Sequence, residues 1–174
     1  MQPVRSFGWG LSSYQIDRAA LSIGKFGLSS AAGVQEDGTP FAMPEDVEPP
    51  PPIDVPETTR NQRVCLVLPL ARAGTPDTVL RDRDDVAARY AASDYEAQDA
   101  NVGSDIATPV SVGKPRLRFA IEGFGDLGGF ASIPLARVIE VRGDSRQVMI
   151  DDQYIPPCTT IGAVQPLSAF AIEL

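Results

Sequence analysis

The chain has no histidine among its 174 residues, only two cysteines, Cys65 and Cys158, and only two lysines, Lys25 and Lys114. Each scarcity removes a class of chemistry. Histidine is the commonest general base, so a serine nucleophile here lacks its usual partner. A Ser–Lys pair stays open, but each lysine falls in an apparent strand or turn. Two cysteines alone do not close a zinc site. They are also too few for a small secreted domain stapled by disulfides. Cys65 sits in the run Val64-Cys65-Leu66-Val67-Leu68 and reads as a small buried apolar residue. A reducing compartment fits this usage, with a single disulfide left open.

Long apolar runs are lacking too. None approaches the ~20 residues that span a bilayer. Met1-Gln2-Pro3-Val4-Arg5 has no signal-peptide core. The expectation is a soluble, cytoplasmic protein without direct membrane insertion. Positive charge is scarce as well: 15 basic residues are scattered among 23 acidic ones, for a net charge of −8. A nucleic-acid binder needs a clustered Lys/Arg surface to displace counterions, so nucleic acid is not an expected partner.

What is present builds a core. Hydrophobic residues make up 43 % of the chain and charged residues 22 %, outside the range of disordered chains. The 16 prolines and 15 glycines punctuate it often, which suits short strands and turns. In Arg116-Leu117-Arg118-Phe119-Ala120-Ile121-Glu122, alternation puts Leu117, Phe119 and Ile121 on one face and Arg116, Arg118 and Glu122 on the other. Ile133, Leu135, Ile139 and Val141 share a face further on, with Arg137 intruding. Val148 with Ile150, and Val102, Ile106, Val110 and Val112, keep even spacing. Val64 to Leu70 predicts a strand buried on both sides. Asp37-Gly38 and Gly143-Asp144 supply turns of positive φ. Together these predict an all-β, antiparallel sandwich or barrel.

Two stretches break the pattern. Glu48 to Pro56 contains Pro49, Pro50, Pro51, Pro52 and Pro56, an extended strap that cannot donate to a ladder. Asp84 to Ala100 is rich in alanine and acid, and propensity alone leaves it between helix and strand. At the C-terminus, Pro166 precedes Leu167, Phe170, Ala171 and Leu174 at the spacing of an amphipathic helix. The chain stops before that stripe is complete, as a segment cut from a longer protein would.

The motifs that look chemical fail individually. Gly123-Phe124-Gly125-Asp126-Leu127-Gly128 spells a dinucleotide fingerprint, but Pro134 and a strand-like pattern stand where the required helix would be. A flexible hairpin connection is expected instead. Asp82-Arg83-Asp84-Asp85 lacks the glycine and distal glutamate of a calcium loop and reads as a solvated acidic loop. The adjacent Asp151 and Asp152 would point to opposite faces of a strand. Arg142-Gly143-Asp144 spells an integrin tripeptide that a hairpin tip explains. No catalytic, cofactor or metal residues are assigned, and the reading is not an enzyme.

An ordered set of motifs carries a resemblance. Phe7-Gly8-Trp9-Gly10, Ile16-Asp17, and Gly33-Val34 through Asp37-Gly38-Thr39-Pro40-Phe41 come first. The proline strap, Leu68-Pro69-Leu70, Ile133-Pro134-Leu135-Ala136-Arg137-Val138 and Ile155-Pro156-Pro157-Cys158 follow. In this order they resemble the N-terminal domain of the TssK (ImpJ/VasE) family, trimeric baseplate subunits of bacterial type VI secretion systems. The resemblance implies a β-sandwich like the shoulder domain of phage receptor-binding proteins, here residues 1–160. It implies that residues 161–174 begin a helical connector to neck and head domains. It tips 89–101 toward strand. The implied role is a cytoplasmic structural adaptor docking the wedge proteins TssF and TssG, with the membrane complex TssL/TssM met through the C-terminal parts and a homotrimer in the full-length protein. No cofactor is implied. Trp9, Phe41 and Pro49, Pro50, Pro51 and Pro52 are candidate partner-binding residues, because large aromatics anchor interfaces and a proline strap loses little entropy on docking. Alternatively, Trp9 and Phe41 are core and the strap only covers the sandwich. A phage-like receptor- or carbohydrate-binding sandwich is the competing function.

Overall fold

A computed structural model describes residues 8–74, 76–80, 88–98 and 107–173. Phe7, Asp82-Arg83-Asp84-Asp85, Val102, Ile106 and Leu174 lie outside the described residues. Within the stretch read as one sandwich, the chain forms two compact units. One comprises residues 1–68 and 117–174, and the other comprises 69–116.

In the first unit, β1 (Gly10–Ile16), β3 (Leu28–Val34) and β4 (Pro40–Met43) form an antiparallel sheet in the order β1-β3-β4. A second sheet takes the order β10-β6-β11-β12, from β6 (Arg60–Pro69), β10 (Arg118–Ile121), β11 (Phe130–Val141) and β12 (Val148–Ile150). The short β2 (Lys25–Phe26) pairs with β5 (Ile53–Asp54). Leu11, Ala31, Phe41 and Met43 from the first sheet meet Leu66, Leu68, Ile133 and Leu135 from the second in one apolar cluster. Phe26 meets Phe119 edge-on, with ring centroids 5.6 Å apart, a favoured aromatic geometry.

The continuous apolar run behaves as expected. Residues Val64 to Pro69 of β6 are all buried. Val64, Leu66 and Leu68 enter the main cluster, while Cys65 and Val67 are buried outside it, the two faces of a fully covered strand. Leu117, Phe119 and Ile121 are buried as their alternation predicts. Asp37-Gly38 turns β3 into β4, with Gly38 at φ 88° and the Asp37 carboxylate accepting from the Thr39 N–H.

Three details of this unit differ from the sequence reading. Ile139 is 44 % exposed and Val138 is buried in its place. The phase slips where Leu135 and Ala136 are buried side by side, and a register shift against β12 between Val138 and Glu140 returns Val141 to the buried face. Between β11 and β12, the positive φ belongs to Arg146 rather than Gly143. The GxGxxG segment is not a hairpin, because β10 and β11 flank β6 instead of pairing with each other. It is a loop, with Gly123 at φ 82° and the Asp126 carboxylate accepting from the Gly128 N–H.

The second unit is a separate antiparallel ribbon. Here β8 (Tyr90–Gln98) pairs along its whole length with β9 (Ala107–Pro115), and β7 (Thr78–Val79) adds a short parallel pairing to Tyr90 and Ala91. The alanine-rich stretch is therefore strand where it is described. Arg116, placed on a solvent face by alternation, is buried. Its guanidinium donates to the Ala88 carbonyl at 3.1 Å, and that of Arg89 to the Pro69 carbonyl at 2.9 Å, which is how a buried cation is tolerated.

Two α-helices are present among the described residues. Asp17 caps α1 (Arg18–Ser22), its carboxylate accepting from the N–H groups of Ala19 and Ala20 at 2.9 and 3.1 Å. After a 3-10 turn over Ile161–Ala163, α2 (Gln165–Ile172) starts with Pro166 in its first turn. None of its residues is buried, and Phe170 and Ile172 are exposed.

Candidate partner-docking surface

The strap is pinned at its C-terminal end. Asp54 and Ile53 pair with Lys25 and Phe26, and the Val55 N–H donates to the Gly24 carbonyl at 2.9 Å. Pro52 packs over Gly27, where an added Cβ would lie 3.0 Å from the proline ring. The sequence alone does not tell which prolines face out. Pro50 is buried and Pro49 half-buried, whereas Pro51 and Pro52 are exposed. Phe41 is 5 % exposed and belongs to the core, so it offers no docking surface. Trp9 is half-buried and packs against that core. Phe41 is thus a core side chain and Trp9 a partly buried one.

Three of the motifs behind the resemblance converge in space, which the sequence did not foretell. The Leu11 N–H donates to the Pro157 carbonyl at 2.9 Å, and the Thr159 N–H returns to the Leu11 carbonyl at 2.8 Å. Gly10, at φ 128°, lets this segment approach: a Cβ there would sit 2.8 Å from the Pro157 backbone carbon and oxygen. Gly33 pairs with Leu11 on the other side, and a Cβ on it would lie 3.1 Å from the Leu11 Cα. Backbone on three sides leaves room for glycine only. The Gly-Trp-Gly, Gly-Val and Ile-Pro-Pro-Cys motifs thus form one structural joint that carries Trp9 beside it.

Several other polar groups are engaged structurally. A small cavity of about 70 Å³ is lined by Tyr14, Ile16, Leu135, Ile150, Tyr154 and Pro166, among others. Burial, with Tyr154 nearby, raises the Tyr14 phenol above its ordinary value, and burial raises Tyr154. Asp151 beside the cavity is held by the Arg137 guanidinium and the Gln153 N–H, which lower its pKa. The neighbouring Asp152 instead faces Arg18 at 3.6 Å, so the two carboxylates diverge. Arg63 pairs with Glu122 at 2.7 Å. Cys65 is a free, buried thiol raised above its ordinary pKa by burial, and Cys158 is free and half-buried. Among the described residues no three His, Cys, Asp or Glu side chains gather to hold a metal ion. No described helix is long and apolar enough to cross a membrane.

This fold recurs in known proteins. The family described as Bacterial Type VI secretion, VC_A0110, EvfL, ImpJ, VasE matches residues 1–174. The chain belongs to this type VI secretion family. Within it, the baseplate component TssK1 of Pseudomonas aeruginosa (strain PAO1) is 41 % identical over 167 residues, covering 96 % of this chain and 37 % of TssK1. A crystal structure of TssK superposes with a TM-score of 0.87 at 29 % identity, covering 99 % of this chain and 38 % of that one. The TssK-TssF-TssG baseplate subcomplex seen by cryo-electron microscopy contains the same fold, with a TM-score of 0.80 at 18 % identity and coverage of 97 % and 56 %. The chain spans little more than a third of the length of TssK1.

Proposed function

We infer that this chain is a non-catalytic adaptor module of a type VI secretion baseplate, and that its sandwich docks the wedge proteins TssF and TssG. The supporting observation is the family match along residues 1–174, together with the recurrence of this fold in a TssK-TssF-TssG assembly. In this reading residues 1–160 are the docking domain and 161–174 lead into a helical connector. The parts of the longer relatives that this chain does not span carry trimerisation and the contact to TssL and TssM, on the cytoplasmic side of the membrane. The docking surface includes the outward prolines Pro51 and Pro52 and the open side of Trp9. Phe41 and Pro50 are buried and act in the fold rather than at the surface.

The test is co-purification of the tagged chain with soluble TssF and TssG from one secretion cluster. Retention of both is expected, and flow-through of folded partners would overturn the reading. Pro51→Ser, which leaves the buried Pro50 in place, separates the strap from the rest. Wedge binding unchanged by it would remove the strap from the interface while leaving the adaptor role standing.

A further inference from the structure

The ribbon in the second unit carries, among the described residues, an open sheet edge. Only Tyr90 and Ala91 of β8 pair with β7; from Ala92 to Gln98, among the described residues, β8 pairs with β9 alone. Half the backbone N–H and C=O groups of that stretch therefore point away from any described strand. The far edge, β9, is defended by Pro109, Lys114 and Pro115, the residue types that block strand addition. The edge of β8 has no proline and no basic residue. One side of the ribbon resists pairing and the other invites it.

The two faces of the ribbon differ in chemistry. Cross-strand register sets Tyr95 opposite Val110 and Ser93 opposite Val112. Tyr95 is 60 % and Val110 42 % exposed, so this apolar face is uncovered. A ribbon of two strands is marginal in water without a third strand or a packed face. The opposite face carries Asp94 and Glu96, two residues apart and both exposed. Neither makes an ion pair among the described residues.

We propose that the β8 edge from Ala92 to Gln98 accepts an extended segment of a partner protein as an added strand. Charge complementarity sets the kind of segment: apolar residues alternate with Lys or Arg. The apolar set lies beside Tyr95 and Ser93, and the basic set lies opposite Asp94 and Glu96. Main-chain hydrogen bonds supply the affinity and the alternation supplies the selectivity. The stretch of this chain that alternates arginine with apolar residues, Arg116 to Phe119, is already buried or paired with β6, so a second folded copy does not offer it. This inference stands independently of wedge docking.

The test titrates the 174-residue chain with three synthetic nine-residue peptides and reads backbone amides by nuclear magnetic resonance and hydrogen exchange. The first alternates valine and lysine, the second alternates valine and glutamate, and the third is the first with a central proline. The valine–lysine peptide is expected to protect the amides of Ala92–Gln98, and the other two to bind at least about tenfold more weakly. The double variant Asp94→Lys, Glu96→Lys changes only exposed side chains and is expected to reverse the preference toward the glutamate peptide. Absence of binding to the unaltered chain, a preference that survives the charge reversal, or protection on another strand would each overturn the proposal. So would concentration-dependent protection of the same amides without peptide, accompanied by a doubling of mass, because the occupant would then be a second copy.

Discussion

Gly10→Ala tests the glycine joint that ties together the N-terminal strand and the Pro157–Cys158 segment. The substitution meets two penalties at once. The backbone stands at φ 128°, where an L side chain is strained, and the new Cβ lies 2.8 Å from the Pro157 carbonyl carbon and oxygen and 2.9 Å from the Cys158 nitrogen. Those neighbours are backbone and cannot swing aside. Relief requires the segments to part, which weakens the 2.9 and 2.8 Å hydrogen bonds that join Leu11 to Pro157 and Thr159. Strain of roughly 1–3 kcal/mol and overpacking of similar size give a loss of about 3 kcal/mol. In a chain of this length that lowers the Tm by about 6–12 °C. Urea denaturation followed by circular dichroism reads the midpoint shift, with Gly125→Ala as control because nothing lies within 4 Å of its added Cβ. The control should stay within about 0.5 kcal/mol of the original. If Gly10→Ala matched the control, the close approach would not be what requires glycine there.

Other perturbations read other layers of the structure. Phe41→Ala should cost about 3–5 kcal/mol, as for a core aromatic, and should weaken partner binding only in proportion to unfolding; a binding loss in a variant of undiminished stability would return Phe41 to the interface. Asp17→Ala removes the cap that accepts from Ala19 and Ala20 and should cost about 1 kcal/mol in the same denaturation assay. Asp151 has its folded-state pKa lowered by Arg137 and Gln153. Its stabilising contribution is therefore present above the ordinary carboxylate range and lost as pH falls through and below it. Asp151→Asn should flatten the acid limb of the stability curve, and an unchanged limb would refute the pairing. The raised, buried thiol of Cys65 should resist a thiol reagent in the native chain and react only on unfolding.

The elements legible in the sequence were those whose neighbours are close in sequence or whose burial is complete. Val64 to Leu68 announces a covered strand because no solvent face interrupts it. Asp37-Gly38 announces a turn because its chemistry is local. Alternation placed Leu117, Phe119 and Ile121 correctly but put Arg116 in solvent, since a period-two pattern carries no information about the separate unit in which Arg116 meets Ala88. The phase of β11 slips at Leu135 and Ala136, which are both buried, and a bulge restores it by Val141; nothing in its branched residues announces either change. The ribbon of β8 was hidden by alanine and acid, which favour helix until the pairing with β9 overrides them. For the docking surface, composition revealed the strap but not its orientation. Pro50 turns inward and Pro51 outward because the pairings of β2 with β5 and the seat on Gly27 fix the rotation of the strap. The Gly10, Gly33 and Pro157 joint was visible only as scattered motifs, because the three positions are far apart along the chain.

The central claim, that the chain is a docking module of a type VI secretion baseplate, is tested most directly by the mass of a mixture. The chain is combined with a purified TssF–TssG complex from its own secretion cluster and passed through size exclusion with light scattering. The adaptor reading predicts one peak in which the mass of the wedge complex is increased by a whole number of copies of this chain. Two peaks, each at the mass of its separate component at micromolar concentration, would contradict it.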